Sequence, residues 1–284
     1  MKFKEIIHFI KKIDNFYNTG LDFNFFSEII SICEKNKKFL RISEYETSIP
    51  FNSVIYPRFV HYILCEKEIF KKKSLNLFFA YRGPEILKNA GILKGYEIFK
   101  SFINILLKNN IEIPYTIVSV EFEKNKIIKF TEYFCFRNID YQLSRILSDF
   151  IEFNNPEFIY KNSRNITFIG IDYFPENNNI LLKLYNKWKF NEKLLYGYEK
   201  KFLEKYNLNY VKDLARTTYI YPDGRFELNK KTHFIFKRKE KFNSFLNLFE
   251  PQNHKLINKL DIFKKNKIVI SMNKKVIPLE IYIK

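Results

Sequence analysis

The sequence predicts an α+β fold, an antiparallel β-barrel of about ten strands ringed by α-helices. Three observations carry this prediction. Strand–turn–strand patterns begin at residues 115, 166, 216 and 267, about 50 residues apart. Helical patterns fill the gaps, so the repeating unit reads strand, strand, helix, helix. Ten antiparallel strands laid flat would expose two long edges, and closure into a barrel removes them. The units are expected over residues 40–284 of a single domain spanning 1–284, with N-terminal helices in 1–39.

Each element has a local reason. "MKFKEIIHFIKKIDNFY" has amphipathic helical spacing and is broken by charge too often for a signal peptide. "LRISEYETSIPFNSVIYPRFVHYIL" (40–64) fits a first hairpin, followed by a longer helical insertion. "YTIVSVEFEKNKIIKFTEYFCF" (115–136) turns at "EKNK", and "ITFIGIDYFPENNNILLKLY" (166–185) turns at "FPENNN". "RTTYIYPDGRFELNKKTHFIF" (216–236) turns at Pro222, Asp223 and Gly224, which supply a preset φ, a side-chain cap and a permitted positive φ. "KIVISMNKKVIPLEIYIK" (267–284) is the last hairpin. Between them, "GYEIFKSFINILLKN" (95–109) places Ile98, Phe102, Ile105 and Leu106 on one helical face. "DYQLSRILSDFIEF" (140–153) does so with Leu143, Ile146, Leu147 and Phe150. "WKFNEKLLYGYEKKFLEKY" (188–206) and "EKFNSFLNLF" (240–249) continue the helical series.

Strand alternation then sorts side chains by face. With the apolar face turned toward the helices, Ile128, Phe130, Phe134 and Phe136 point out, while Lys129, Thr131, Tyr133 and Cys135 point in. Leu182 and Leu184 oppose Lys183 and Tyr185. Leu279, Ile281 and Ile283 oppose Glu280, Tyr282 and Lys284. Tyr56, Arg58, Val60 and Tyr62 share one parity, and Phe59, His61 and Ile63 the other, which places His61 in the core. A cation beside a tyrosine thus recurs on the inner face of several strands. A half-exposed sheet carries such residues for solubility alone. A closed lumen would instead use the cations to hold a phosphate or diphosphate and the ring faces to stabilise a carbocation.

Composition bounds the rest. No apolar run reaches the roughly 18 residues of a membrane span. Cys33, Cys65 and Cys135 suit neither a disulfide frame nor a zinc cluster, and a cytoplasmic location is expected. His8, His61, His233 and His254 show no ligand spacing. The net charge of +18 raises a nucleic-acid partner. The joint abundance of Lys, Ile, Asn and Phe reads more simply as AT-rich coding bias, and no nucleic-acid-binding motif is present. GxGxxG and P-loop patterns and a serine nucleophile elbow are absent. Trp188 is expected to pack at a helix start.

The ordered hairpins, with "YETSIPF…YPRF", "IIKFTEYF" and "FIGIDYFPENNNILLKLY", resemble the ABBA prenyltransferases, and within them the cyanobactin branch that prenylates ribosomal peptides. The resemblance implies a barrel of five strand–strand–helix–helix units over roughly residues 40–284. It implies Glu46 as the catalytic acidic residue, with Glu44 as its rival on the same parity. Arg58, Lys129 and Lys183 would hold the diphosphate, and Tyr133, Tyr185 and Tyr282 would shield the allyl cation. The donor would be dimethylallyl diphosphate and the acceptor a peptide or an aromatic compound. Magnesium would enter with the diphosphate, since DDxxD and NSE-type clusters are absent and Asp149 and Glu152 suit a solvated helix face. No nucleic acid or membrane partner is implied, and a monomer is expected. The fourth hairpin, with His233, Phe234 and Phe236, matches poorly and leaves its wall of the site unassigned. A barrel without the chemistry, serving as a peptide-binding accessory protein, and a basic nucleic-acid-binding protein are the alternatives.

Overall fold

The structure, a computed structural model, describes residues 47–50, 59–65, 82–111, 113, 115–123, 126–136, 138–236, 268–276 and 278–283, together with positions 8, 11, 15 and 24. The expected N-terminal helices, the insertion after residue 64, the centre of the "EKNK" turn and the helix over 240–249 lie outside the described residues.

Alternating sequence becomes strand where expected. The strands are β1 (Thr47–Pro50), β2 (Phe59–Cys65), β3 (Tyr115–Glu123), β4 (Lys126–Cys135), β5 (Ile166–Phe174), β6 (Asn179–Lys189), β7 (Val211–Ile220), β8 (Phe226–Phe236), β9 (Ile268–Met272) and β10 (Pro278–Ile283). They form one antiparallel sheet in the order β1-β10-β9-β8-β7-β6-β5-β4-β3-β2. The sheet curls, and Cα atoms of its end strands β1 and β2 come within 8 Å of each other. The Pro222–Gly224 turn is built as its residues dictate. Asp223 accepts from the Arg225 amide (3.1 Å), and Gly224 takes φ +82°. At the β5–β6 turn the left-handed position falls to Asn178 (φ +57°), whose side chain accepts from the Tyr173 hydroxyl.

The described helices are α1 (Arg82–Asn89), α2 (Leu93–Lys108), α3 (Tyr141–Phe150), α4 (Pro156–Asn162) and α5 (Gly197–Lys205). Asp140 caps α3 by accepting from the Leu143 amide (2.8 Å). Asn155 caps α4, which has Pro at its first turn, by accepting from the Phe158 amide (3.0 Å). Aromatic pairs fasten helices to strands. Phe99 and Phe102 of α2 meet Phe130 and Phe134 of β4 edge-on at 5.0 and 5.2 Å. Phe202 of α5 stacks on Phe234 of β8 at 5.7 Å. Each pair adds about 0.5–1.5 kcal/mol beyond its buried area.

Several expectations shift. The buried face of α2 is Gly95, Phe99, Phe102, Ile103 and Leu106, while Ile98 and Ile105 are only partly buried. The sheet demands a phase one residue later than the spacing alone suggested. A bulge where β3 crosses β4 lets Ile127, rather than Ile128, take the buried place. Trp188 lies within β6 rather than at a helix start, because that strand runs on to Lys189 before a 3₁₀ turn at Glu192–Leu194. Glu132 shares the outward parity of the phenylalanines. It is fully buried under α1, where the nearby Thr116 hydroxyl is the polar group that bears on its carboxyl among the described residues.

On the same helix-facing side, Arg216 of β7 is clamped by Glu199 of α5. Its Nε and terminal nitrogen donate to the two carboxylate oxygens at 2.8 and 2.6 Å. The same carboxylate accepts from the Thr232 hydroxyl (2.7 Å) and the Tyr196 amide (2.9 Å). The guanidinium lies over the rings of Tyr196 (4.1 Å) and Trp188 (5.3 Å). This satisfied ion pair ties α5 to the sheet.

Candidate active site

The face opposite the helices is polar in sequence, yet it is not a solvated surface. Register fixes its rows. Glu121 pairs with Lys129, Thr131 with Asp172 and Tyr133 with Gly170. Gly170 and Phe168 pair with Lys183 and Tyr185, which pair with Tyr219 and Thr217. Thr217 and Ala215 pair with Lys231 and His233. Thr131 and Thr217 are 0% exposed, Asp172 1% and Lys183 4%. A sheet face that served solubility would not bury its lysine and aspartate this far.

The charged row centres on Asp172. Its Oδ1 accepts from the Thr131 hydroxyl (2.7 Å). Its Oδ2 lies 2.5 Å from Lys183 Nζ and 3.9 Å from Lys129 Nζ. Lys129 is also paired with Glu121. Lys183 Nζ sits 5.4 Å from the centre of the Tyr219 ring. Lys231 adds a further positive charge felt by both lysines.

Burial pushes the Lys183 ammonium down to about 8, assisted by Lys129 and Lys231 and opposed by Asp172. Burial acts in the same sense on Lys129, but Glu121 and Asp172 together outweigh it and hold that ammonium above its ordinary value. One lysine answers to two carboxylates and the other to one. Burial would raise Asp172, and the two lysines with the Thr131 hydroxyl reverse this and hold its carboxyl below the usual range.

An aromatic wall adjoins the charges. Tyr133 meets Phe168 (5.4 Å) and Tyr185 (5.6 Å) edge-on. Phe168 lies 4.6 Å from Tyr185. Tyr185 faces His233 at 6.0 Å, and His233 Nε2 is hydrogen-bonded to the Thr217 hydroxyl (2.9 Å). Gly170 makes the wall possible. A Cβ there would stand 3.0 Å from two ring atoms of Tyr133 and 3.3 Å from Tyr185.

Of the residues the sequence singled out, Lys129, Lys183, Tyr133 and Tyr185 converge on this face. Tyr282 lies on β10, in register with Val269 and Ser48. Glu46, Glu44 and Arg58 lie outside the described residues. Asp172, Glu121 and Lys231 were missed, and His233 was left unassigned with the fourth hairpin. The first two sit at inward parity in "FIGIDYF" and "VSVEFE", and the alternation applied to β4 and β6 would have found them. Lys231 and His233 likewise alternate with the buried Phe234 and Phe236, and the register shift between β7 and β8, where Thr217 pairs with Lys231 but Tyr219 with Glu227, sets only which residues they face.

Among known proteins, no family model matches the chain and no curated protein does. The fold does have a counterpart among solved structures, the 5-dimethylallyltryptophan synthase from Streptomyces coelicolor. The match has a TM-score of 0.58 at 7% sequence identity and covers 98% of this chain and 95% of that one. At this identity the likeness concerns the fold, a curled antiparallel sheet of the ABBA type. No helix among the described residues is long and apolar enough to cross a membrane.

Proposed function

We propose that the chain is a prenyltransferase. It would transfer a dimethylallyl group from its diphosphate to a nucleophilic group of a peptide, as in the cyanobactin branch, or of an aromatic acceptor, within a closed ten-stranded barrel ringed by helices. One observation carries this reading: the buried Lys183, the partly buried Lys129 and a wall of aromatic rings share the inner face of a sheet whose fold matches that of a 5-dimethylallyltryptophan synthase.

In this mechanism Lys129, Lys183 and Arg58 take up the negative charge that gathers on the diphosphate as its allylic C–O bond breaks. Lys231 joins them from the fourth hairpin. Tyr133, Tyr185 and Tyr282 present ring faces to the allyl cation and keep water from it. The acceptor's nucleophilic atom bonds to the allylic carbon, and its proton passes to Glu46, with Glu44 as the rival base. Asp172 and Glu121 are engaged by lysines. Magnesium would then enter with the diphosphate rather than in a protein cage and would supply charge neutralisation there.

The test is calorimetric titration with dimethylallyl S-thiolodiphosphate and magnesium, on wild type, Lys183→Ala, Lys129→Ala and Arg58→Ala. Saturable binding to wild type that each substitution weakens at least tenfold is the expected result. Folded wild-type protein that binds neither this ligand nor its geranyl homologue overturns the reading and returns the accessory-barrel and nucleic-acid alternatives.

A further inference from the structure

We propose that Asp172 is a positioning residue of this site, holding Lys183 charged and fixing its spacing from Lys129 so that the two ammoniums are set for an anionic ligand. The inference rests on the prenyl-diphosphate reading for the identity of that ligand.

The geometry assigns each oxygen of Asp172 its own duty. Oδ1 is pinned by the Thr131 hydroxyl at 2.7 Å. That contact sets the plane of the carboxylate and aims Oδ2 between the two ammoniums, at 2.5 Å from Lys183 and 3.9 Å from Lys129. The three residues come from adjacent antiparallel strands. Thr131 pairs with Asp172, and Gly170 with Lys183. The arrangement is therefore set by register rather than by long flexible chains meeting at a surface.

The surroundings make Asp172 decisive for one lysine and not the other. Glu121 from β3 holds Lys129 independently. Around Lys183 the described charged and titratable groups are Asp172 from β5, Lys129 from β4, Tyr219 from β7 and Lys231 from β8. Asp172 is the one carboxylate in that set, and both other charged neighbours repel the ammonium. Burial does the same, and the balance already stands at about 8 with Asp172 in place. Without the carboxylate, Lys183 would shed its proton at neutral pH. A neutral amine cannot gather a diphosphate's charge, so it would have to take up a proton as the ligand binds.

The first measurement is a pH titration of the ligand-free protein by NMR of ¹³Cε-labelled lysine, with the Lys183 signal identified by its loss in Lys183→Arg. Wild-type Lys183 is expected to titrate near pH 8. In Asp172→Asn its midpoint falls by roughly one to three units, the effect of losing a close opposite charge. In Thr131→Val, which keeps every charge and frees the carboxylate to turn, it falls in the same direction by less. Glu121→Gln moves it less than Asp172→Asn does. An unchanged Lys183 midpoint in Asp172→Asn overturns the proposal, and so does an equal fall in Glu121→Gln. If Asp172→Asn does not fold, Thr131→Val decides alone: no fall of the midpoint overturns the proposal.

The second arm is titration calorimetry at pH 7 with dimethylallyl S-thiolodiphosphate in buffers of different ionisation enthalpy. Asp172→Asn is expected to take up more protons per ligand bound than wild type. Lys183→Arg in that background is expected to abolish the excess, because a guanidinium stays charged. Excess uptake that survives Lys183→Arg assigns the proton elsewhere and overturns the proposal. Wild type that binds no thiolodiphosphate overturns the prenyl-diphosphate reading, while the NMR arm still decides whether Asp172 holds Lys183 charged.

Discussion

Replacing Gly170 with alanine probes how tightly the aromatic wall is set. The added Cβ would stand 3.0 Å from Cδ1 and Cε1 of Tyr133 and 3.3 Å from Cε2 of Tyr185. Carbon atoms pack best at about 3.5–4.0 Å, so both rings must retreat by roughly half an ångström. Tyr133 has little room to do so, being 5% exposed and held between Phe168 and Tyr185. Overpacking of this kind costs about 1–3 kcal/mol. Alanine recovers about 0.4–1 kcal/mol by restricting the unfolded chain. The net expectation is a loss of ~0.5–2 kcal/mol, read as a fall in the urea midpoint at unchanged slope. The decisive comparison is the same substitution in a Tyr133→Ala background. With the ring gone, Gly170→Ala should be neutral or stabilising, a coupling of about 1–3 kcal/mol. An equal loss in both backgrounds would refute the argument, because the cost would then come from the backbone and not from the ring.

Three further outcomes follow from buried charges. Glu199→Gln leaves the Arg216 guanidinium buried without its counter-charge and should cost about 3–5 kcal/mol in urea melts, whereas the double change Glu199→Leu with Arg216→Met should cost less than half of that. Glu132 has its carboxyl pushed well above the ordinary range by burial, which the neighbouring Thr116 offsets only in part. Its stability contribution is full below pH 4.5 and is lost as pH rises toward its folded value, so Glu132→Gln should gain on wild type between melts at pH 4 and pH 8. Lys183 has the opposite sense for a base: its folded value of about 8 lies below the ordinary 10.5, so the unfolded chain holds the proton longer. Wild type should therefore gain stability relative to Lys183→Met as pH rises from 8 to 10.5 in paired melts.

Much of the architecture was legible because alternation and turn chemistry are local. "YPDGR" specified its turn through Asp223 and Gly224, and the β4–β6 alternation sorted Lys129, Tyr133, Lys183 and Tyr185 onto one face before any contact was known. What failed was non-local. The face of α2 is set by how Phe99 and Phe102 meet Phe130 and Phe134, and a helical period fixes a stripe only to within a residue. The register shift between β7 and β8, which decides which residues Lys231 and His233 face, adds residues to one strand without changing its composition. Asp172 was passed over for a different reason. Inside an apolar run an aspartate reads as a turn or an edge, and only the lysines supplied by two neighbouring strands make its burial tolerable.

The overall charge of +18 misleads about the site itself. On the inner face Lys129, Lys183 and Lys231 stand against Glu121 and Asp172. Three cations less two carboxylates leave an excess of one in that described set. Any attraction for an anion there comes from placement in a buried setting, where charges act more strongly than at the surface, and not from a surplus of lysine. A diphosphate carries more negative charge than this excess can offset. On the proposed reading the balance must come from Arg58 and from magnesium travelling with the ligand. Binding of the thiolodiphosphate should therefore weaken sharply when magnesium is chelated, and adding salt should weaken it far less than it would weaken binding of a polyanion to the lysine-rich exterior.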